Sequence, residues 1–349
     1  MSFDKFDNKK AELELYKDMR TLITELKKAD SKSNFNRLAV ELNNLYTLAN
    51  YFDLYDYPEV EDYVARSISV LDSDNRFKIF LKNHRRLYNL VNKDLDYHLA
   101  VSELSDLFIE NNFEKKYHEL NYIGNYQEIV NYAKEFMNYY DNKLLNAYNT
   151  IEKKNHILIK EFDESDLGGL FTPLSNNKTP YLSFFLNSNI DDAATIVHET
   201  AHLRQYDLLK NNKTCENYNY FFQEVYSFFL QFAFYHYIKE KNIYTKDIDT
   251  CFNAYLDNLC KYLIDFNDDL TTNELSNTYI FNDIQYSYGI LVGLKYFDIY
   301  KNDPEYAKLL TDNFIEQSYH YEPLEVLNSF GLDSEELVSG EILKKYIKK

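Results

Sequence analysis

Residues that interrupt helices are scarce in this chain, and this scarcity constrains the fold more than any other feature. Only 7 glycines and 5 prolines occur among the 349 residues. Because these two residue types destabilise a helix interior more than any others, long stretches without them favour helix. Residues 1–160 also carry apolar side chains at helical spacing, as at Leu13, Leu15, Met19, Leu22, Ile23 and Leu26. The sequence therefore predicts a mainly α fold.

The character of the sequence changes about halfway along the chain. Residues 166–173 hold two of the glycines and one of the prolines, which predicts a turn or a close approach of the backbone to another group. The run that follows, residues 180–187, is short, apolar and aromatic, and it predicts a β-strand. Pro180 favours an edge position for that strand, because proline cannot donate to a ladder. We predict a helical N-terminal lobe over residues 1–160 and a second lobe, with a small sheet, over residues 161–349.

Charge and cysteine content narrow the expected partners and location. The net charge of −18 argues against a nucleic-acid partner, since such partners are bound by basic side chains that neutralise phosphates. Three cysteines without a C-x-x-C motif, and a beginning without an apolar segment, predict a cytoplasmic protein. The most apolar stretch, residues 221–238, contains Glu224, Gln231 and His236, so we expect a buried core helix and no membrane span.

A candidate metal motif follows the predicted strand. The polar and acidic residues 189–192 predict the capped start of a helix. That helix carries His198 and His202 four residues apart, so both imidazoles project from one face and can bind the same ion. Glu199 stands beside the first histidine, where its carboxylate can reach a metal-bound water.

These residue types suit zinc chemistry. A Zn²⁺ ion held by three protein ligands keeps a fourth position for water. The metal lowers the pKa of that water, and Glu199 can accept its proton as it attacks a carbonyl carbon. We therefore predict one Zn²⁺ ion, with Glu199 as the catalytic base.

A third protein ligand is needed, and four downstream residues are candidates. Asp207 is only five residues past His202 and would lie on or just beyond the same helix, and Glu216 lies in a polar segment rich in Asn and Lys. Glu224 opens a strongly apolar segment, where a carboxylate is costly unless it is paired or bound to metal, so we predict Glu224. His236 lies about three turns further along the same helix, too far to share the ion. Gln231, two turns beyond Glu224, is predicted to hydrogen-bond the metal ligand.

The order of these motifs resembles the thimet oligopeptidase and oligoendopeptidase F family of metallopeptidases. That family combines a strand preceded by Pro and an aromatic residue, an Asp-rich helix start, H-E-x-G-H, and E-x-x-S on a second helix. The resemblance covers roughly residues 165–349. The matching stretches are Gly168–Gly169, residues 179–187, Asp191–Asp192, His198–His202, Glu224–Ser227, Tyr286–Gly289 and residues 323–333.

The resemblance implies a helical metallopeptidase with a deep substrate cleft and a small sheet beside the H-E-x-x-H helix. Its substrates would be short unfolded peptides, and residues 161–349 would form the zinc-peptidase lobe. The strand of residues 180–187 would bind a peptide by strand addition. Tyr288, and as second choice Tyr286, would donate hydrogen bonds to the tetrahedral intermediate. The implied substrate-binding residues are Gly168, Gly169, Tyr181, Ser183 and Phe184.

The chain departs from the family pattern in three ways. Ala201 replaces the glycine of the metal motif, which leaves the ligands intact. Residues 277–281 lack the family's histidine, so Tyr279 becomes a candidate for its role. The chain is also shorter than usual members, which leaves the size limit for substrates open.

The leading expectation is a zinc-dependent endopeptidase that acts on oligopeptides. One alternative is a homologue that holds zinc and binds peptides without cleaving them; the retained Glu199 argues against it, and the absent histidine argues for it. Another is a protease specific for a single protein, which the short chain would suit. Peptides are the expected partners, and the sequence leaves the oligomeric state open.

Overall fold

Helices dominate the computed structural model, as the scarcity of glycine and proline predicts. The model describes residues 7–54, 60, 64, 118–162, 168–174, 178–209, 222–272, 279–321, 323–333, 336–337 and 341–347. Its helices and strands are, in chain order, α1 (Lys9–Leu26), α2 (Lys32–Tyr51), α3 (Tyr126–Tyr140), α4 (Asn142–Lys153), β1 (Ile157–Glu161), β2 (Gly169–Thr172), β3 (Tyr181–Leu186), α5 (Ile190–Leu209), α6 (Val225–Glu240), α7 (Thr245–Thr272), α8 (Tyr279–Tyr300), α9 (Pro304–Ser318), α10 (Pro323–Ser329) and α11 (Glu341–Ile347). The prediction of a mainly α fold with a small sheet is confirmed.

The chain divides into two compact units, each made of separate segments. The first unit combines Met1–Lys78 with Tyr122–Tyr206, and the second combines Ile79–Asn121 with Asp207–Lys349. These units are defined by which parts of the chain contact one another, whereas the lobes predicted above follow the character of the sequence. The lobe boundary near residue 160 stays a prediction.

Helices α1 and α2 form one side of the core of the first unit. Leu15, Met19 and Leu22 are buried along one face of α1, in agreement with their helical spacing, whereas Leu13 lies outside that face and is exposed. Helix α2 begins after Ser31, whose hydroxyl accepts a hydrogen bond from the backbone N–H of Asn34. The apolar faces of both helices join one core with buried side chains of the sheet.

The three-stranded sheet has the order β1-β3-β2, with β3 in the centre. Strand β3 pairs in parallel with β1 and antiparallel with β2, and all six of its side chains are buried. The prediction of an edge position is therefore wrong. Pro180 precedes β3, which begins at Tyr181, so its missing N–H removes no bond of the ladder. A peptide cannot add to β3; within the described residues, no strand pairs with the outer edge of β2.

Helices α6 and α8 pack against each other in the second unit. Twelve of the sixteen side chains of α6 are buried, which confirms the prediction of a core helix over this stretch. Aromatic rings fill the interface: Phe229 meets Tyr300 edge-on, with ring centroids 5.8 Å apart, and Phe232 lies 6.1 Å from Phe297. In the part of the chain that the structure describes, no helix has the length and apolar character needed to cross a membrane.

Candidate metal centre

A tight turn between β3 and α5 fixes where the metal motif begins. The carboxylate of Asp192 accepts hydrogen bonds from the backbone N–H groups of Asn187, at 2.9 Å, and Asn189, at 3.1 Å. The side-chain oxygen of Asn189 accepts from the N–H of Asp191 at 2.8 Å, which confirms the predicted cap. Burial raises the pKa of Asp192 to about 7, although its backbone donors act in the opposite direction. The start of α5 is thus anchored to the sheet.

His198 and His202 occupy successive turns of α5. Their ring centroids lie 5.1 Å apart, as the spacing of four residues predicts. Phe171, on β2, stacks on the ring of His202 with a centroid distance of 6.2 Å. The strand therefore helps to hold the second imidazole.

The side chain of Glu199 extends from α5 toward β2. It is only 7% exposed, and it approaches the backbone of Gly169 so closely that a Cβ there would lie 2.8 Å from its Oε1. This contact explains why a glycine occupies the first position of β2. The substrate-binding role expected for Gly168 and Gly169 stays a prediction.

Glu224 immediately precedes α6 and is 7% exposed. A nitrogen of His198, a nitrogen of His202 and a carboxylate oxygen of Glu224 all lie within 4.8 Å of one another. Within the described residues, this is the group of histidine, cysteine and acidic side chains that could hold a metal ion. The burial argument that selected Glu224 from the sequence thus leads to the same three residues.

The competing third ligands lie elsewhere or outside the described residues. Asp207 is exposed near the end of α5. Nε2 of His236 lies 3.3 Å from Oε1 of Glu240 on its own helix. Glu216 lies outside the described residues.

The carboxylate of Glu224 has a hydrogen-bond partner that the sequence analysis did not assign. The hydroxyl of Ser227 donates to the backbone oxygen of Glu224, at 2.9 Å, and approaches its Oε2 at 3.2 Å. The spacing E-x-x-S contains this information, since residues three apart on a helix lie on the same face. The side-chain amide of Gln231 donates a hydrogen bond to the hydroxyl of Tyr235 at 3.0 Å. Its predicted hydrogen bond to the metal ligand stays a prediction.

The two tyrosines predicted to stabilise the intermediate lie on α8. Tyr288 is 6% exposed and meets Phe222 edge-on, with centroids 6.3 Å apart. Its hydroxyl is protonated at neutral pH, as in an ordinary tyrosine, and burial raises its pKa further, so it can donate a hydrogen bond. Tyr286 is more exposed and contacts Phe228 at 5.8 Å. The side chain of Tyr279 lies outside the described residues.

The three β3 residues predicted to bind substrate are buried. Tyr181 donates its hydroxyl to Asp18 at 2.9 Å, and the hydroxyl of Ser183 donates to the backbone oxygen of Leu170 at 3.1 Å. Phe184 is fully buried. These contacts give the side chains a place in the core of the first unit, and their contact with substrate stays a prediction.

Solved structures of peptidases share this fold. A protein of Bacillus anthracis str. Ames assigned as an oligoendopeptidase F matches with a TM-score of 0.59 and 14% identity, over 95% of this chain and 69% of the other. PZ peptidase A, solved with an inhibitor, matches with a TM-score of 0.53 and 10% identity, over 95% of this chain and 71% of the other. A second structure assigned as oligoendopeptidase F gives a TM-score of 0.51 at 10% identity, over 97% of this chain and 75% of the other.

Comparison by sequence alone adds no relative, since neither a family model nor a curated protein matches the chain. At identities of 10–14%, the structural likeness establishes the fold. The resemblance that the motifs suggest is confirmed at that level: the chain has the helical fold of the oligoendopeptidase F and PZ peptidase structures, and it carries a candidate metal group of two histidines and a glutamate.

Proposed function

We propose that this chain is a zinc-dependent endopeptidase that cleaves oligopeptides, and a divergent member of the thimet oligopeptidase and oligoendopeptidase F family. The observation that carries the proposal is the grouping of His198, His202 and Glu224 within 4.8 Å. Glu199, the neighbour of the first ligand, supplies the acid–base group that such a site needs. The fold shared with peptidase structures supports the same interpretation.

The residues of the group fit zinc. Two imidazole nitrogens and one carboxylate oxygen form a ligand set typical of catalytic zinc, with the fourth position left for water. A bound zinc ion would lower the pKa of that water and polarise the substrate carbonyl. The low exposure of Glu224 agrees with a ligand role, because a buried carboxylate is costly without a cation or hydrogen-bond donors.

Glu199 would move protons during the reaction. Its carboxylate would accept a proton from the attacking water and then deliver it to the nitrogen of the leaving amine. The side chain is shielded from bulk water, and shielding strengthens its interaction with charges that develop nearby. Replacement by glutamine keeps the size of the side chain and removes this function.

Tyr288 is our first choice for the group that stabilises the tetrahedral intermediate. A tyrosine hydroxyl is protonated at neutral pH, and burial raises the pKa of this one further, so it can donate a hydrogen bond to the developing oxyanion. Tyr286 is the second choice.

We assign peptide binding to the outer edge of β2. An extended peptide there would continue the sheet beyond the order β1-β3-β2 and lie next to the strand that contacts Glu199. Gly168 and Gly169 would let the peptide approach the backbone closely. The neighbouring strand β3 would keep this part of the sheet in position through the buried side chains of Tyr181, Ser183 and Phe184.

The proposal is tested with a mixed library of peptides. Zinc-loaded protein and its Glu199→Gln variant are incubated with the library, and the products are identified by mass spectrometry. We expect cleavage by the wild-type protein alone. Binding of peptides without cleavage at any length would favour the inactive homologue, and cleavage of one protein substrate alone would favour the specific protease. Cleavage that survives in Glu199→Gln would contradict the assigned base.

A further inference from the structure

We infer that Gly169 and Gly289 are positioning residues, the first for the base Glu199 and the second for the metal ligand Glu224. The inference rests on the proposed function for the roles of the two glutamates. The contacts themselves are properties of the fold. Each glycine lies on a different element from the glutamate it contacts: Gly169 on β2 and Gly289 on α8.

Gly169 leaves the space that the side chain of Glu199 occupies. A Cβ at this position would lie 2.7 Å from Cγ of Glu199, 2.8 Å from its Oε1 and 2.9 Å from Cγ2 of Thr195. In proteins, a Cβ essentially never lies within 3.0 Å of a heavy atom outside its own residue and its chain neighbours. Strand β2 is held to β3, with Gly169 opposite Phe184, so the strand has little freedom to retreat. An added methyl group would therefore displace the glutamate side chain.

Gly289 leaves the space that the Cβ and the backbone of Glu224 occupy. A Cβ here would lie 2.5 Å from Cβ of Glu224, 3.1 Å from its carbonyl carbon and 3.0 Å from Cδ2 of Phe228. Rotation of the Glu224 side chain cannot relieve such a contact, because its Cβ is fixed by the backbone. The start of α6 would have to move, and the ligand oxygen would move with it.

The same helix pair supplies a matched control one turn further along α8. A Cβ at Gly293 would lie 3.1 Å from the backbone nitrogen of Phe229 and 3.2 Å from Cβ of Phe228. Gly293 thus packs against α6 as Gly289 does, but its three nearest atoms do not belong to Glu224. For Gly169, the control in the same unit is Gly124, where a Cβ would lie 3.2 Å from the ring of Tyr122.

Backbone strain does not complicate these substitutions. Among the described glycines, only Gly331 has a positive φ, at 65°. Alanine can adopt the backbone conformation at the other positions, so the effect of each substitution comes from the contacts of the added Cβ. The two positioning effects are then separable: displacement of the base should impair the reaction, and displacement of the ligand should impair metal binding.

The first test compares Gly169→Ala with Gly124→Ala. We expect Gly169→Ala to bind zinc with wild-type affinity, while kcat falls about 100-fold and KM changes far less than kcat, because a displacement of about 1 Å can have that effect on a reacting group. Gly124→Ala should match the wild type in all three quantities. A rise in KM at unchanged kcat would assign Gly169 to substrate binding alone and overturn its positioning role, and wild-type values throughout would overturn it too.

The second test compares Gly289→Ala with Gly293→Ala by titration of the apo proteins with zinc, without any measurement of activity. We expect the affinity of Gly289→Ala to fall about 10- to 100-fold, the usual effect of disturbing a residue that supports a metal ligand. Gly293→Ala should bind zinc as the wild type does. Equal affinities in the two variants would contradict the inference for Gly289.

A double-mutant cycle keeps the second test decisive if Gly289→Ala folds poorly. Glu224→Gly removes the Cβ that the new methyl group would meet, so Gly289→Ala should lower the melting temperature less in the Glu224→Gly protein than in the wild type. Equal losses, or failure of Glu224→Gly to restore folding, would overturn the contact. A wild-type protein that neither binds zinc nor cleaves peptides would instead overturn the proposed function, while the cycle would still report on Gly289.

Discussion

The two parts of the candidate centre are built in different ways. In the histidine segment, His198, Glu199 and His202 lie on α5, and helical geometry alone brings the two imidazoles together. In the glutamate segment, Glu224 stands at the beginning of α6, and its position depends on how α6 packs against α8. One segment is set by local geometry and the other by tertiary packing, so they should respond differently to substitution.

The difference extends to the contact that limits each glutamate. Glu199 meets Gly169 through the end of its own flexible side chain, so a disturbance there can be absorbed by rotation. Glu224 meets Gly289 through its Cβ and backbone, so a disturbance there moves a helix. We therefore expect substitutions around Glu199 to change the reaction, and substitutions around Glu224 to change metal binding first.

The largest expected effect is the loss of a ligand from the histidine segment. His202→Ala should reduce bound zinc from about one ion per chain to almost none, because a single imidazole and a carboxylate bind zinc weakly. His236→Ala is the matched control, since that imidazole contacts Glu240 and lies outside the metal group. Metal analysis after gel filtration distinguishes the two. Zinc retained by His202→Ala would separate His202 from the centre.

Tyr288→Phe tests whether α8, which packs against the glutamate segment, also supplies a hydrogen-bond donor for the reaction. Removal of the hydroxyl should lower kcat about 100- to 1,000-fold and leave zinc affinity unchanged, as expected for a lost donor to the oxyanion. Tyr286→Phe keeps the same aromatic contacts and should have a smaller effect. Steady-state kinetics of both variants with one peptide decide between them. A larger loss in Tyr286→Phe would reverse the assignment.

Asp192→Asn tests the anchor of the histidine segment through the pH dependence of stability. Burial raises the pKa of Asp192 to about 7, above the value of about 3.9 in an unfolded chain. Its contribution to the free energy of unfolding is therefore complete below about pH 4 and is lost as the pH rises through 7. Asparagine does not titrate at this position. Between pH 4 and 8, the free energy of unfolding should therefore fall less in the variant than in the wild type, and the difference between the two losses should be at most about 4 kcal/mol.

Denaturation at several pH values measures this difference. Asp303→Asn serves as the control, because Asp303 is an exposed helix cap that accepts a hydrogen bond from the N–H of Tyr306. The Asp303→Asn protein should keep the pH profile of the wild type. A profile for Asp192→Asn that parallels the wild type would show that Asp192 does not hold a proton in the folded protein.

The smallest expected effect concerns the support of Glu224 by Ser227. Ser227→Ala removes the hydroxyl that approaches Oε2 at 3.2 Å, and zinc affinity should fall about 10-fold. Ser318→Ala is a close control, since the hydroxyl of Ser318 is also buried and donates to a backbone oxygen three residues earlier, outside the metal group. Equal zinc affinities for the two variants would show that Ser227 supports the helix alone.

The sequence predicts the histidine segment well because its geometry is local. Spacing along one helix places His198 and His202, and the polar residues before it place the start of α5. Glu224 could be chosen because burial of a carboxylate among apolar residues is costly. These inferences need no knowledge of distant contacts.

The features that escaped prediction depend on packing or on exact strand ends. Strand β3 can be central because Pro180 stands just before it and not within it, a difference of one residue that periodicity does not resolve. The contacts of the Ser227 hydroxyl with Glu224 were not predicted, although residues three apart on a helix lie on the same face; the role of Gln231 stays a prediction. The approach of Gly289 to Glu224 joins residues far apart in the chain, so only the packed helices reveal it.

The most direct test of the central claim is the coordination of zinc in the wild-type protein. X-ray absorption at the zinc edge, combined with metal analysis, should show one ion per chain with two imidazole nitrogens and a carboxylate oxygen at about 2.0–2.2 Å. The His202→Ala and Glu224→Ala proteins should lose this signal. A site with sulfur ligands at about 2.3 Å, or no bound zinc at all, would contradict the account.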